Sequence, residues 1–227
     1  MQLLKSLAVA GMLTAIAATP VHAALTTDMG TIGSPNTITF DEFDGLLGVG
    51  PTQVGASIGQ DVVFTASLPS TLGAYIAVLG TNGDWGAGKV FAATGTPDDV
   101  APGFGLLHYT FTDKVTMGAG AMLNAYDAGP ILMIAYGADT TILEAHVVSV
   151  STPGGFNEGS FFGITRASSD IRAIAFGGTG LVMDDLVFTT PVPEPESYLM
   201  MLVGVGLVGF ALRNRKRKQD AMRLRFA

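Results

Sequence analysis

ILMIAYGADTTILEAHVVSV, Ile131 to Val150, decides what kind of fold this chain can make. Its two apolar runs, Ile131 to Tyr136 and Ile142 to Val150, are the longest in the middle of the sequence and are rich in β-branched residues. Neither run, nor anything around them, sustains the 3.6-residue apolar period of an amphipathic helix. Short apolar runs on either side of a turn read instead as paired strands.

The same pattern recurs outward in both directions. Thr37 to Asp41, Asp61 to Ala66 and His108 to Thr112 precede it, and Phe161 to Thr165, Ile171 to Phe176 and Leu181 to Phe188 follow. Glycine and proline divide these segments at short intervals. Asn82-Gly83-Asp84 and Asp127-Ala128-Gly129-Pro130 supply residues that tolerate positive φ, and Pro153-Gly154-Gly155 closes the Ile142 run. Short strands between turn signals predict an all-β, jelly-roll-like β-sandwich over residues 24–190, with one face of each strand buried between two sheets. No fixed-period repeat is present, so a solenoid or propeller is not expected.

The N-terminus has the anatomy of a secretory signal peptide. Lys5 gives a positive start, Leu7 to Ala18 an apolar run, and Val21-His22-Ala23 the small residues of a cleavage site. Cleavage between Ala23 and Ala24 is the expected outcome, and an uncleaved anchor is the competing one. The apolar run is short for a bilayer core that needs about 20 residues.

Charge narrows the function classes. Residues 24–196 carry four Lys/Arg against 18 of the 19 acids, a formal charge of −14. Such a domain repels nucleic acid and anionic lipid. The sequence has no cysteine, which excludes disulfides, thiolate nucleophiles and cysteine-based metal sites.

The chemistry-bearing residues are sparse. His108 and His146 sit in strand-like stretches and read as structural, with no Gly-x-Ser-x-Gly elbow or His-Glu-x-x-His helix beside them. Asp41 and Glu42 lie on the first strand, and Asp184 and Asp185 on the last. In many jelly rolls these strands are neighbours, so their oxygens could meet at one structural calcium ion, which takes six to eight. Successive residues of a strand point to opposite faces, so only one of Asp184 and Asp185 is expected to serve directly. Solvated edge carboxylates are the competing reading. Trp85, the sole tryptophan, is the candidate for stacking on a glycan, against the alternative of a buried aromatic. A pair of carboxylates could instead hydrolyse a glycoside, although no pair stands out.

The C-terminus has three parts in order. Pro191 to Ser197 is a proline-rich spacer, and Tyr198 to Leu212 is an uncharged, mostly apolar stretch. Residues 213–227 form a basic tail led by Arg213, Arg215, Lys216, Arg217 and Lys218. As a helix the apolar stretch rises about 22 Å, against a hydrocarbon core of about 30 Å. It reads as a short transmembrane helix with the basic tail cytoplasmic.

Val192-Pro193-Glu194-Pro195, the apolar stretch and Arg213-Asn214-Arg215-Lys216-Arg217 together resemble the PEP-CTERM sorting signal of exported proteins in Gram-negative bacteria that make extracellular polysaccharide. The resemblance implies an inner-membrane-inserted precursor cut by an exosortase near Pro193, Glu194 and Pro195, which would be recognition residues of a substrate. The tail from Gln219 to Ala227 is longer than such signals usually carry. The middle domain is similar, more loosely, to sandwich ectodomains that precede this signal. Phe161 to Ile164, Ile171 to Phe176 and Asp184 to Phe188 stand where their closing strands would be. The expectation is a cell-surface or secreted protein, a non-catalytic structural or carbohydrate-associating module of the extracellular polysaccharide matrix. A secreted polysaccharide hydrolase and a permanently anchored single-span surface protein are the alternatives.

Overall fold

A computed structural model describes residues 24–33, 35–86, 88–95, 103–189 and 203–206. The chain divides into two compact units, Met1–Thr189 and Thr190–Ala227. Among the described residues the first unit opens with β1 (Ala24–Thr26), β2 (Pro35–Ile38), β3 (Leu46–Gly48), β4 (Thr52–Gln53), β5 (Val62–Ala66) and β6 (Ser70–Ala74). Next come β7 (Ala77–Val78), β8 (Asp84–Trp85), β9 (Phe91–Thr94), β10 (Phe104–Phe111), β11 (Gly118–Asn124) and β12 (Pro130–Tyr136). The last are β13 (Ile142–Ser149), β14 (Phe156–Asn157), β15 (Ser160–Thr165), β16 (Ala173–Thr179) and β17 (Val182–Thr189).

The quoted stretch forms the expected pair, with β12 and β13 antiparallel from Pro130↔Ser149 to Tyr136↔Ile142. They lie at one side of a six-stranded sheet ordered β13-β12-β16-β10-β5-β4. An eight-stranded sheet ordered β1-β15-β11-β17-β9-β6-β3 faces it, with β2 also joined to β17. Strand β17 divides one edge between two partners: Val182 and Met183 pair with β9, and Leu186 to Thr189 pair with β2. The strand expected at Thr37, β2, is therefore a neighbour of the last strand, whereas the first described strand, β1, pairs with β15.

One hydrophobic cluster fills the space between the two sheets. Leu72, Leu123, Met183 and Leu186 enter it from the large sheet, and Phe64, Tyr109, Met133 and Phe176 from the smaller one. Phe111 and Phe188 meet at 4.9 Å between ring centroids, and Phe40 and Tyr109 at 6.1 Å. Burying such side chains contributes about 1.5–3 kcal/mol each, the main favourable term for a chain without disulfides. The Tyr109 hydroxyl is fully buried with no hydrogen-bond partner among the described residues. Burial pushes its pKa well up.

An ion network closes one margin of the sandwich. Arg166 donates to both carboxylate oxygens of Asp170 at 2.6 and 2.7 Å and reaches Glu144 of β13 at 3.5 Å. Glu144 also stands 3.4 Å from His146 Nε2 on the same strand. His146 therefore has an acid beside it, two residues away on its own strand.

Three expected strands are corrected. The first ends at Ile38, because Phe40 turns into the left-handed region with φ 60°. The His108 strand already begins at Phe104 and ends at Phe111. The Ile171 segment pairs regularly only from Ala173 and runs on to Thr179. In the second unit, residues 203–206 are helical. Among the described residues no helix is long and apolar enough to cross a membrane. Most of the expected span over residues 198–212 lies outside them.

Candidate functional site

The site is built on an irregularity of β17. Gly120 of β11 pairs with Val187, but Met122 pairs with Asp184, so the last strand carries one extra residue there. That residue is Asp185, at φ 48°. A bulge of this kind re-aims side chains. Aspartate tolerates the left-handed conformation better than most residues. The Asp185 N–H donates to Asp184 Oδ1 at 2.7 Å. The bulge overturns the expectation that the two carboxylates face opposite ways, because both line one cleft.

Above this bulge the outer face of the large sheet is covered by the three-stranded sheet β14-β8-β7. Leu79, Trp85, Phe91 and Val182 make a small apolar cluster beneath it. A knot of buried amides holds the cover in place. Asn82 Nδ2 donates to the Asn124 side-chain oxygen and to the carbonyls of Ala125 (3.1 Å) and Val150 (3.0 Å). Its Oδ1 accepts from the Thr152 N–H at 2.7 Å. Asn124 in turn donates to Asn157 Oδ1 at 2.8 Å, and Asn157 donates to the Asn82 carbonyl at 3.0 Å. Such networks specify one geometry when every member is satisfied. Gly83 must be glycine here: its φ is +79°, and a Cβ would stand 2.4 Å from the Gly155 carbonyl oxygen.

The cleft between cover and bulge is partly open to solvent and offers about 140 Å³. Trp85, Met122 and Phe156 give it apolar walls, and Asp184, Asp185 and Glu158 give it carboxylates. Lys89 is tied to Glu158 at 3.0 Å. Asp184 is only 4% exposed. Burial, with the Asp185 charge second, pushes its pKa up from 3.8 to about 7, against the opposing pull of the Asp185 N–H and Lys89. Asp185 is raised as well, chiefly by burial, with Lys89 opposing and Glu158 and Asp41 adding to the rise. Lys89 is raised in turn, first by its bond to Glu158.

The sequence-derived site residues distribute unevenly. Trp85 does line the cleft, but it is 3% exposed and packs edge-on against Phe91 at 6.2 Å. It is thus a wall and not an open stacking platform, and the exposed ring at the cleft is Phe156. Asp41 lies close enough for its charge to raise both Asp184 and Asp185. Its own Oδ2 accepts from Thr39 at 2.7 Å, and Glu42 accepts from Ser57 at 2.9 Å. Among the described residues no three His, Asp or Glu side chains gather as a metal site. Asp41 stands near Asp184 and Asp185, whereas Glu42 is engaged by Ser57. Lys89, Phe156 and Glu158 went unread as site residues, since only the folding of β14 beside β8 brings them to the bulge. Ala24 opens β1, whereas Ala23, Pro193, Glu194, Pro195, Arg213, Arg215, Lys216, Arg217 and Lys218 lie outside the described residues.

Comparison with known protein families settles the C-terminus: residues 191–217 match the family described as the PEP-CTERM protein-sorting motif. The chain carries a PEP-CTERM sorting motif at its C-terminus. It is therefore an exported protein that passes through a membrane-associated sorting step and is processed by an exosortase-type system. No curated protein and no solved structure matches the chain.

Proposed function

We propose that this protein is a non-catalytic, carbohydrate-associating module of the extracellular polysaccharide matrix, held at the cell surface or secreted after sorting. The cleft under β8 and β14 is the observation that carries this reading. An apolar cavity of about 150 Å³ takes one six-membered ring, and this cleft is close to that size at about 140 Å³. Apolar walls with a few placed polar groups are the usual make-up of a small-molecule site. Phe156 would stack on the sugar's C–H face while Asp184 and Asp185 meet its hydroxyls.

The signal peptide would be cut between Ala23 and Ala24, and the short C-terminal helix would insert in the inner membrane until the exosortase acts at Pro193-Glu194-Pro195. Adjacency of β2 and β17 supports the jelly-roll-like form of the sandwich. Titrating the mature protein with fragments of the host's own polysaccharide tests the function. Binding without turnover that Phe156→Ala abolishes supports it, and no binding would sink it.

One observation favours a second reading. Asp184, protonated up to about pH 7 in a cleft beside other carboxylates, has the character of a general acid. Release of shorter sugars from that polysaccharide, lost in Asp184→Asn, would make the protein a hydrolase.

A further inference from the structure

We infer that the cleft selects an amino sugar, a pyranose carrying a protonated amine, over neutral and acidic sugars, because its one-ring cavity ends on a buried carboxylate with an unpaired oxygen. This rests on the carbohydrate-binding reading above. Asp184 Oδ1 is occupied by the Asp185 N–H. Asp184 as a residue is only 4% exposed and lines the cleft, and among the described residues no donor reaches its Oδ2. Lys89, the one cation lining the cleft among the described residues, is already engaged by Glu158. The Asp41 charge adds to the negative field on Asp184.

A site so arranged has a deficit of positive charge. Burial and the neighbouring carboxylates hold the Asp184 proton up to about pH 7. A sugar ammonium at Oδ2 would release that proton and form a charge-assisted hydrogen bond, roughly twice as strong as a neutral one. A uronic acid would bring a further carboxylate against Asp184, Asp185 and Glu158. Lysine side chains share the ammonium, but their thin stem would leave a cavity of this volume underfilled, so the sugar is the better fit.

The test uses the mature protein from its host, titrated calorimetrically with glucosamine, glucose and glucuronate at about pH 7, where such an amine still carries its proton. Glucosamine should bind about 10-fold more tightly than glucose, the difference between a charged and a neutral hydrogen bond. Glucuronate should bind more weakly than either. Asp184→Asn should bring glucosamine down to the glucose affinity, and Phe156→Ala should weaken both sugars while keeping their ratio. Equal binding of glucosamine and glucose by the unaltered protein overturns the amine preference but leaves carbohydrate binding in place. No binding of any sugar overturns the underlying function. Tighter binding of Nα-acetyl-lysine methylamide than of glucosamine overturns the choice of occupant.

Discussion

Replacing Asp184 by asparagine should stabilise the fold at neutral pH and leave it nearly unchanged in acid. The carboxyl ordinarily ionises near 3.8, and in the cleft it keeps its proton up to about 7. Between those values the folded state binds more protons than the unfolded chain, so wild-type stability falls as pH rises. Each pH unit across that window is worth about 1.36 kcal/mol, which sets a ceiling of about 4 kcal/mol above pH 7. Water entering the open cleft screens the charge and reduces this to about 2 kcal/mol. The asparagine oxygen can still accept the Asp185 N–H, so the bulge is preserved. Urea unfolding of both proteins at a series of pH values measures the effect. The gap between them should open from near zero at about pH 4 to its full size above pH 7. A gap that is constant with pH, or that closes as pH rises, would refute the electrostatic account of the cleft.

Asn82→Ala should cost about 3 kcal/mol by denaturant unfolding, because it strands the Thr152 N–H and removes the donor to the Ala125 and Val150 carbonyls in a buried setting. Tyr109→Phe should raise stability by about 1 kcal/mol, since the hydroxyl it removes is buried without a partner; a loss of stability on thermal melting would disprove that. For Gly83→Ala we expect a loss of more than about 2 kcal/mol, combining left-handed strain with the clash against the Gly155 carbonyl, and weakened sugar binding read by calorimetry.

The sandwich was legible where a strand has one buried and one exposed face, or a long β-branched run. Strands β12, β13, β15 and β17 fall within two residues of their sequence-derived limits. Strand β11 was not legible. Its Gly118-Ala119-Gly120-Ala121 run shows no alternation because both faces are covered, and its small residues answer to close approach. A Cβ on Gly120 would stand 2.5 Å from the Gly163 Cα. Strand β6, Ser70–Ala74, is buried on both faces and escaped notice for the same reason. At the cleft, Asp184, Asp185 and Trp85 were singled out by residue type, but the bulge that aims both carboxylates together leaves no mark in the spacing. Asn82 looked like a turn residue and is one, yet its role as the centre of a buried amide knot depends on partners 42–75 residues away.

The measurement that bears most directly on the account is the intact mass of the mature protein from its host, with peptide mapping of both ends. The account predicts a chain that begins at Ala24 and ends near Pro193 to Glu196, with or without an added mass at the new terminus. A mature chain that keeps Tyr198 through Arg225 would contradict it, and the C-terminus would then be a permanent anchor.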